Sequence, residues 1–223
     1  MIKGSERYLA RPVKKMRPIS PRLLACLCSV TPFGSPLRCL FLMLFYTFLR
    51  LGSVIPAGGR QLFSRDSHLV WGDVSFPEGK LVLVVRKTKT IQCKERKLKF
   101  IVPELENKSL CLVQNLLCWK SSLGSVSVTD PVFLCSKGGF LSPMTRSMVT
   151  PAYKGALARV GVNPECFGWS SFRRGAATAY FVATGDVEIL KAQGDWVSNA
   201  YREYLSLSAG KRSGIPRTLL GRL

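Results

Sequence analysis

Ser170-Ser171-Phe172-Arg173-Arg174-Gly175-Ala176-Ala177-Thr178 and, shortly after it, Gly194-Asp195-Trp196-Val197-Ser198-Asn199-Ala200-Tyr201-Arg202-Glu203-Tyr204 are the two stretches around which the chain is organised. The first opens a helix of small residues with an arginine at its start. The second begins with a Gly-x-Trp turn, after which Ser198 is suited to cap a short helix. That helix would carry Tyr204 about two turns beyond Trp196. An arginine, an indole and a phenol are thus brought towards one another by a helix, a turn and a helix.

The charge of the whole chain narrows what such a cluster could serve. The 223 residues hold 33 Lys+Arg against 13 Asp+Glu, a net charge of +20. Solubility needs far less, and the excess is spread along the sequence, which points to a polyanion, nucleic acid ahead of an acidic membrane surface. The 47% hydrophobic content supports one sizeable core. Eight cysteines form no Cys-x-x-Cys pair, and His68 is the only histidine, so neither a zinc site nor a disulfide framework is expected. Cys39 to Leu49 is apolar but for Thr47, and at roughly half of the ~20 residues that span a bilayer it reads as a buried helix. Neither a secretory signal nor a membrane anchor is expected.

Outward from the two stretches, residues 1–19 form a basic, proline-punctuated arm with Lys14, Lys15 and Arg17 clustered in it. Ser20 and Pro21 start a helix to about residue 30. A second, apolar on all sides, runs over about 36–50 and carries Arg50 at its end. From about 67 the pattern turns to strands: 68–74, then 81–85, then 97–102, with Lys87 and Lys89 in the second hairpin. Helical periodicity returns near 109–120, and 121–131 reads as a loop. Thr150-Pro151 starts a helix that stops at Gly161, and helices follow over about 171–183, 186–193 and from Ser198. Residues 209–223 form a basic tail. Helices, three strands and helices again give an α+β domain, mainly helical, with a small three-stranded antiparallel sheet.

The order of these motifs resembles the catalytic domain of the tyrosine recombinases, the phage-integrase family, over residues 20–208. In that family an arginine box, a hairpin lysine, a His-x-x-Arg box, a Gly-x-(His/Trp) turn and a nucleophilic tyrosine follow one another. The Thr88-Lys89-Thr90 and Phe172-Arg173-Arg174-Gly175 wording is most similar to recombinases of eukaryotic mobile elements. The helical domain that precedes the catalytic half in the family lies outside this resemblance. The resemblance implies double-stranded DNA as partner, strand cleavage through a 3′-phosphotyrosyl intermediate, self-association in a tetrameric synapse, no cofactor or metal, and an intracellular location, nuclear in a eukaryote.

Residue by residue, it makes Tyr204 the nucleophile, with Tyr201 as its rival. Arg50, in Thr47-Phe48-Leu49-Arg50-Leu51-Gly52, and Arg173, beside its rival Arg174, would fork onto the oxygens of the scissile phosphate. Lys89, or its neighbour Lys87, would protonate the leaving 5′ oxygen. Trp196 would donate its indole N–H or buttress the site. Lys14, Lys15, Arg17, Lys87 and Arg174 would contact DNA.

Two positions depart from the pattern. Ser170 stands where the box has histidine, and serine cannot shuttle a proton near neutral pH. Ser53 stands where an acidic residue usually orients the first arginine. The alternatives are therefore a catalytically decayed DNA-binding protein of the same fold, and a topoisomerase IB-like activity that reseals the same strand. On the clamp reading, Arg173→Lys is expected to abolish cleavage at little cost in stability.

Overall fold

The computed structural model describes residues 16–58, 62–86, 97–137 and 140–205. Ser20 accepts a hydrogen bond from the Leu23 N–H at 3.1 Å, with Pro21 behind it, and so starts α1 (Pro21–Ser29). Ser35 and Pro36 repeat the device at α2 (Pro36–Thr47). Helix α2 is the axis of the core: every residue from Arg38 to Phe45 is buried, which is why its sequence carries no polar face. It packs against α1, α3 (Leu112–Ser122) and α5 (Ser170–Thr184). It ends earlier than its apolar run suggests. Phe48 turns left-handed (φ 55) as a cap, and Arg50 follows in extended backbone (φ −82, ψ 145) rather than on the helix.

The sheet is antiparallel in the order β1 (Val74–Ser75), β2 (Lys80–Val85), β3 (Leu98–Pro103). Leu83 faces Phe100 and Val85 faces Leu98. Alternation puts Leu81, Leu83, Val85, Phe100 and Val102 on the core face. The first strand is shorter than expected. Val70 makes a single bridge to Pro131, and Trp71–Asp73 winds into a 3-10 turn. The cause is Asp73. Its carboxylate accepts the Val70 N–H at 3.2 Å and both Nε and Nη2 of Arg86, at 2.9 and 2.5 Å. That bidentate pair ties the end of β2 to the turn before β1. Lys87 and Lys89 lie outside the described residues.

Two further differences come from local rules that outweigh composition. The pair β4 (Leu134–Lys137) and β5 (Phe140–Pro143) follows the region read as a loop. Helix α4 (Arg146–Arg159) begins before Pro151 and carries it inside. Thr145 is its extended cap residue, and the Thr150 hydroxyl donates to the Arg146 carbonyl at 2.7 Å. The helix closes at Gly161 (φ 77), where Gly161 N–H reaches Ala158 O and Val162 N–H reaches Leu157 O.

Asp186 caps α6 (Val187–Gly194) through the Ile189 N–H. The last element is a 3-10 turn, Asn199–Glu203, instead of the expected helix. Ser198 caps it, and Tyr204 sits at its end. Among the described residues no helix is long and apolar enough to cross a membrane. The seven described cysteines are free, and burial pushes the Cys28 thiol up to about 11.

Residues 16–19 run beneath α5: Arg17 N–H bonds Cys166 O at 2.8 Å, and Ile19 N–H bonds Ser171 O at 3.0 Å. The approach is so close that a Cβ on Gly175 would stand 1.7 Å from Ile19 O and 2.6 Å from Ile19 C. Backbone cannot yield as a side chain would. Gly175→Ala is therefore expected to cost about 3 kcal/mol, or roughly 9 °C in melting temperature for a chain of this size. Thermal unfolding followed by circular dichroism measures it. A melt within a degree of the parent would mean that 16–19 is not seated there.

Candidate active site

Six segments separated in sequence meet around one cleft of about 580 Å³, and four of them bring its arginines and its phenol. The extended turn after α2 brings Arg50 and Ser53. The start of α4 brings Arg146, the start of α5 brings Ser170 and Arg173, and the end of the 3-10 turn brings Tyr204. Arg50 is partly buried, while Ser170, as the first residue of α5, is exposed. Of the residues expected at the site, Arg50, Ser170, Arg173 and Tyr204 line this one cleft.

Arg173 does more than line it. Its side chain is 5% exposed. Nη1 donates to the Phe48 carbonyl and Nη2 to the Gly194 carbonyl at 2.5 Å. Phe48 caps the C-terminus of α2, and Gly194 is the last residue of α6. Both carbonyls are at the negative end of a helix, where a cation is favoured. Each lies in or beside a left-handed non-glycine residue, Phe48 (φ 55) and Asp195 (φ 51). Such backbone costs about 1 kcal/mol or more per residue, and charge-assisted bonds to its carbonyls offset that. Burial, then the nearby charge of Arg50, lower the Arg173 pKa to about 10, while Tyr204 and Asp195 act the other way. The guanidinium remains charged at neutral pH.

Trp196 and Tyr204 complete the packing. The Arg173 Cζ lies 4.2 Å from the Trp196 ring centroid and 5.1 Å from that of Tyr204. The two rings are 5.2 Å apart. Trp196 does not line the cleft but lies under it, 7% exposed, and its buried Nε1 has no hydrogen-bond partner among the described residues. Gly194 is required for this arrangement, since a Cβ there would stand 1.9 Å from the indole.

The rivals separate by burial. Tyr201 is 6% exposed and belongs to the core, whereas Tyr204 is partly exposed at the cleft. Arg174 turns away from the cleft, donates to the Glu203 carbonyl at 2.6 Å and lies 5.9 Å from the Tyr204 ring.

Arg17 is exposed beside Met16, which lines the cleft wall. Lys14, Lys15, Lys87 and Lys89 lie outside the described residues. His68 stacks on Phe63 at 5.6 Å and does not line the cleft, and burial lowers its pKa. No group of three or more potential metal ligands occurs among the described residues. Arg146 is the cleft residue that the sequence reading passes over. Reading Thr150-Pro151 as a helix start puts it in a loop, although Thr145 just before it is a legitimate cap residue.

No protein-family model matches the chain, and no curated protein matches it in sequence. Solved structures do. XerH site-specific recombinase bound to palindromic difH substrate, a post-cleavage complex, superposes with a TM-score of 0.64 at 16% identity. The match covers 89% of this chain and 51% of that one. XerA recombinase superposes at 0.66 and 15% identity, covering 94% and 66%. A lambda integrase dimer bound to a COC′ core site superposes at 0.57 and 16% identity, covering 88% and 61%. The chain thus spans about half to two thirds of the length of these structures.

The two carbonyls held by Arg173 overturn the expectation that replacing it is cheap. Lysine cannot span both with a single ammonium, and one buried carbonyl would be left short. Arg173→Lys is expected to lose about 2 kcal/mol, or roughly 6 °C in melting temperature. Thermal melts of the two proteins decide this, and an unchanged transition would show that the carbonyls do not depend on the fork.

Proposed function

For a chain that has the fold of the tyrosine-recombinase catalytic domain, we propose that it cuts and rejoins DNA through Tyr204 in recombination or integration. The observation that carries the reading is that Arg50, Ser170, Arg173 and Tyr204, drawn from three separate segments, line a single cleft. A net charge of +20 suits a duplex as the partner. XerH and lambda integrase, bound to DNA in their structures, support the same class of substrate.

In the proposed reaction the Tyr204 hydroxyl oxygen attacks phosphorus and forms a P–O bond. The phenol's proton passes to solvent as this bond forms. The bond to the 5′ oxygen breaks, and that oxygen takes a proton from Lys89, the acid that the family resemblance assigns. Arg50 forks onto the non-bridging oxygens as charge develops. Arg173 keeps the site charged from beneath, and Ser170 donates one hydroxyl where an imidazole would otherwise stand. The 3′-phosphotyrosyl link keeps the bond energy for rejoining. A partner strand's 5′ hydroxyl then reverses the sequence and returns the phenol. Exchange between two duplexes would need several copies on DNA, a tetrameric synapse by resemblance, inside the cell and in the nucleus if the source is eukaryotic.

A second reading is a decayed DNA-binding protein. Two observations favour it: Ser170 stands in the histidine position, and both terminal nitrogens of Arg173 are taken by backbone carbonyls.

A nicked suicide duplex decides between them. The protein is expected to form a covalent DNA adduct that Tyr204→Phe does not form. Ser170→His is expected to raise the rate, since one positioned donor is commonly worth on the order of 10²–10³. No adduct from either the parent or Ser170→His, with DNA still bound, would establish the decayed reading. Resealing of the same strand with no joining of two duplexes would establish the topoisomerase-like alternative.

A further inference from the structure

We propose that Arg146 is an additional DNA-binding residue of the cleft, holding a backbone phosphate next to the one that is cleaved. The assignment rests on the DNA-cleaving reading of the same site.

Arg146 lines the cleft together with Arg50, Ser170 and Tyr204, and its side chain is exposed there. Among the described residues its guanidinium has no carboxylate or carbonyl partner. Other arginines of the chain are used inside the protein. Arg38 caps the end of α1, Arg86 pairs with Asp73, Arg173 bridges two helix ends, and Arg174 holds the Glu203 carbonyl. Arg146 has donors to spare at the place where Arg50 also faces an open space.

Its backbone is held more firmly than exposure suggests. The Arg146 N–H bonds Pro56 O at 3.0 Å, and its carbonyl accepts the Thr150 hydroxyl at 2.7 Å. The first bond ties the start of α4 to the turn that carries Arg50, so the two guanidiniums keep a common frame. No acidic side chain lines the cleft among the described residues, so the like charges gathered there repel each other until an anion enters. One phosphate does not fill about 580 Å³. Arg50 and Tyr204 take the reacting phosphate, and Arg146, on a different element, takes a neighbour on the same strand.

A phosphate contact and a base contact differ in what lysine can replace. Lysine still supplies a point charge to phosphate, but it loses the fork a guanine edge can use. The test uses the full chain in a Tyr204→Phe background, binding a fixed duplex across a salt series. Arg146→Ala is expected to leave the melting temperature unchanged and weaken binding several-fold. The log–log salt slope should become shallower by about 0.9, the contribution of one phosphate. Arg146→Lys should restore most of the slope. An Arg146→Ala slope equal to that of a steeply salt-dependent parent would overturn the assignment and leave the function reading standing. Loss with alanine that lysine does not repair would overturn it in favour of a base contact. A parent with no salt dependence would overturn the DNA reading itself, and this assignment with it.

Discussion

The fork of Arg173 across the carbonyls of Phe48 and Gly194 is the interaction on which the site depends. Helices α2 and α6 both end at this guanidinium, and each exits through a left-handed residue that its side chain alone would not favour. Arg50 is two residues past the first carbonyl, and Trp196 is two residues past the second. Releasing either bond would therefore move a cleft wall or its floor. The same guanidinium packs against the rings of Trp196 and Tyr204, so one side chain fixes the ends of two helices and the seat of the phenol. Charge, hydrogen bonding and ring packing act there together, which is why the residue can be 5% exposed and remain protonated.

Around this buried cation the cleft is built from groups with spare capacity. Arg50 and Arg146 bring donors, Ser170 a hydroxyl, and Tyr204 a phenol, while Trp196 keeps an unpartnered N–H below. A buried donor left unsatisfied costs stability, and like charges at one cleft cost more. A fold that carries both is tuned for something that enters. No imidazole stands among the described residues that line the cleft, and Ser170 brings only a hydroxyl to it.

Much of the fold was legible in the sequence where a local rule and the tertiary environment agree. The all-apolar run of α2, the Ser-Pro start of α1, the β2–β3 hairpin and the glycine ends of α4 and α5 each follow from residues that have one comfortable state. The misreadings have a common physical origin. Pro151 reads as a first-turn residue, but α4 begins at Arg146 from the Thr145 cap and carries the proline inside, where the donor it lacks is the one due to the Ser147 carbonyl. Gly138-Gly139 between Leu134–Lys137 and Phe140–Pro143 was a hairpin signal hidden by the polar stretch before it. The helix expected from Ser198 tightened to a 3-10 turn that ends as Tyr204 reaches the cleft. Site residues that belong to motifs could be read directly. Arg146 belongs to none, and what brings it to the cleft is a backbone bond to Pro56 that no spacing encodes.

The strand-like run 16–19 has a mechanical consequence. It is sewn to Cys166 and Ser171 by its amides and locked by the missing side chain of Gly175. Met16, its first described residue, forms part of the cleft wall. Tension applied ahead of it is therefore delivered without slack to the first turn of α5, two residues from Arg173. The thread that leads into the domain is also a lever on its floor.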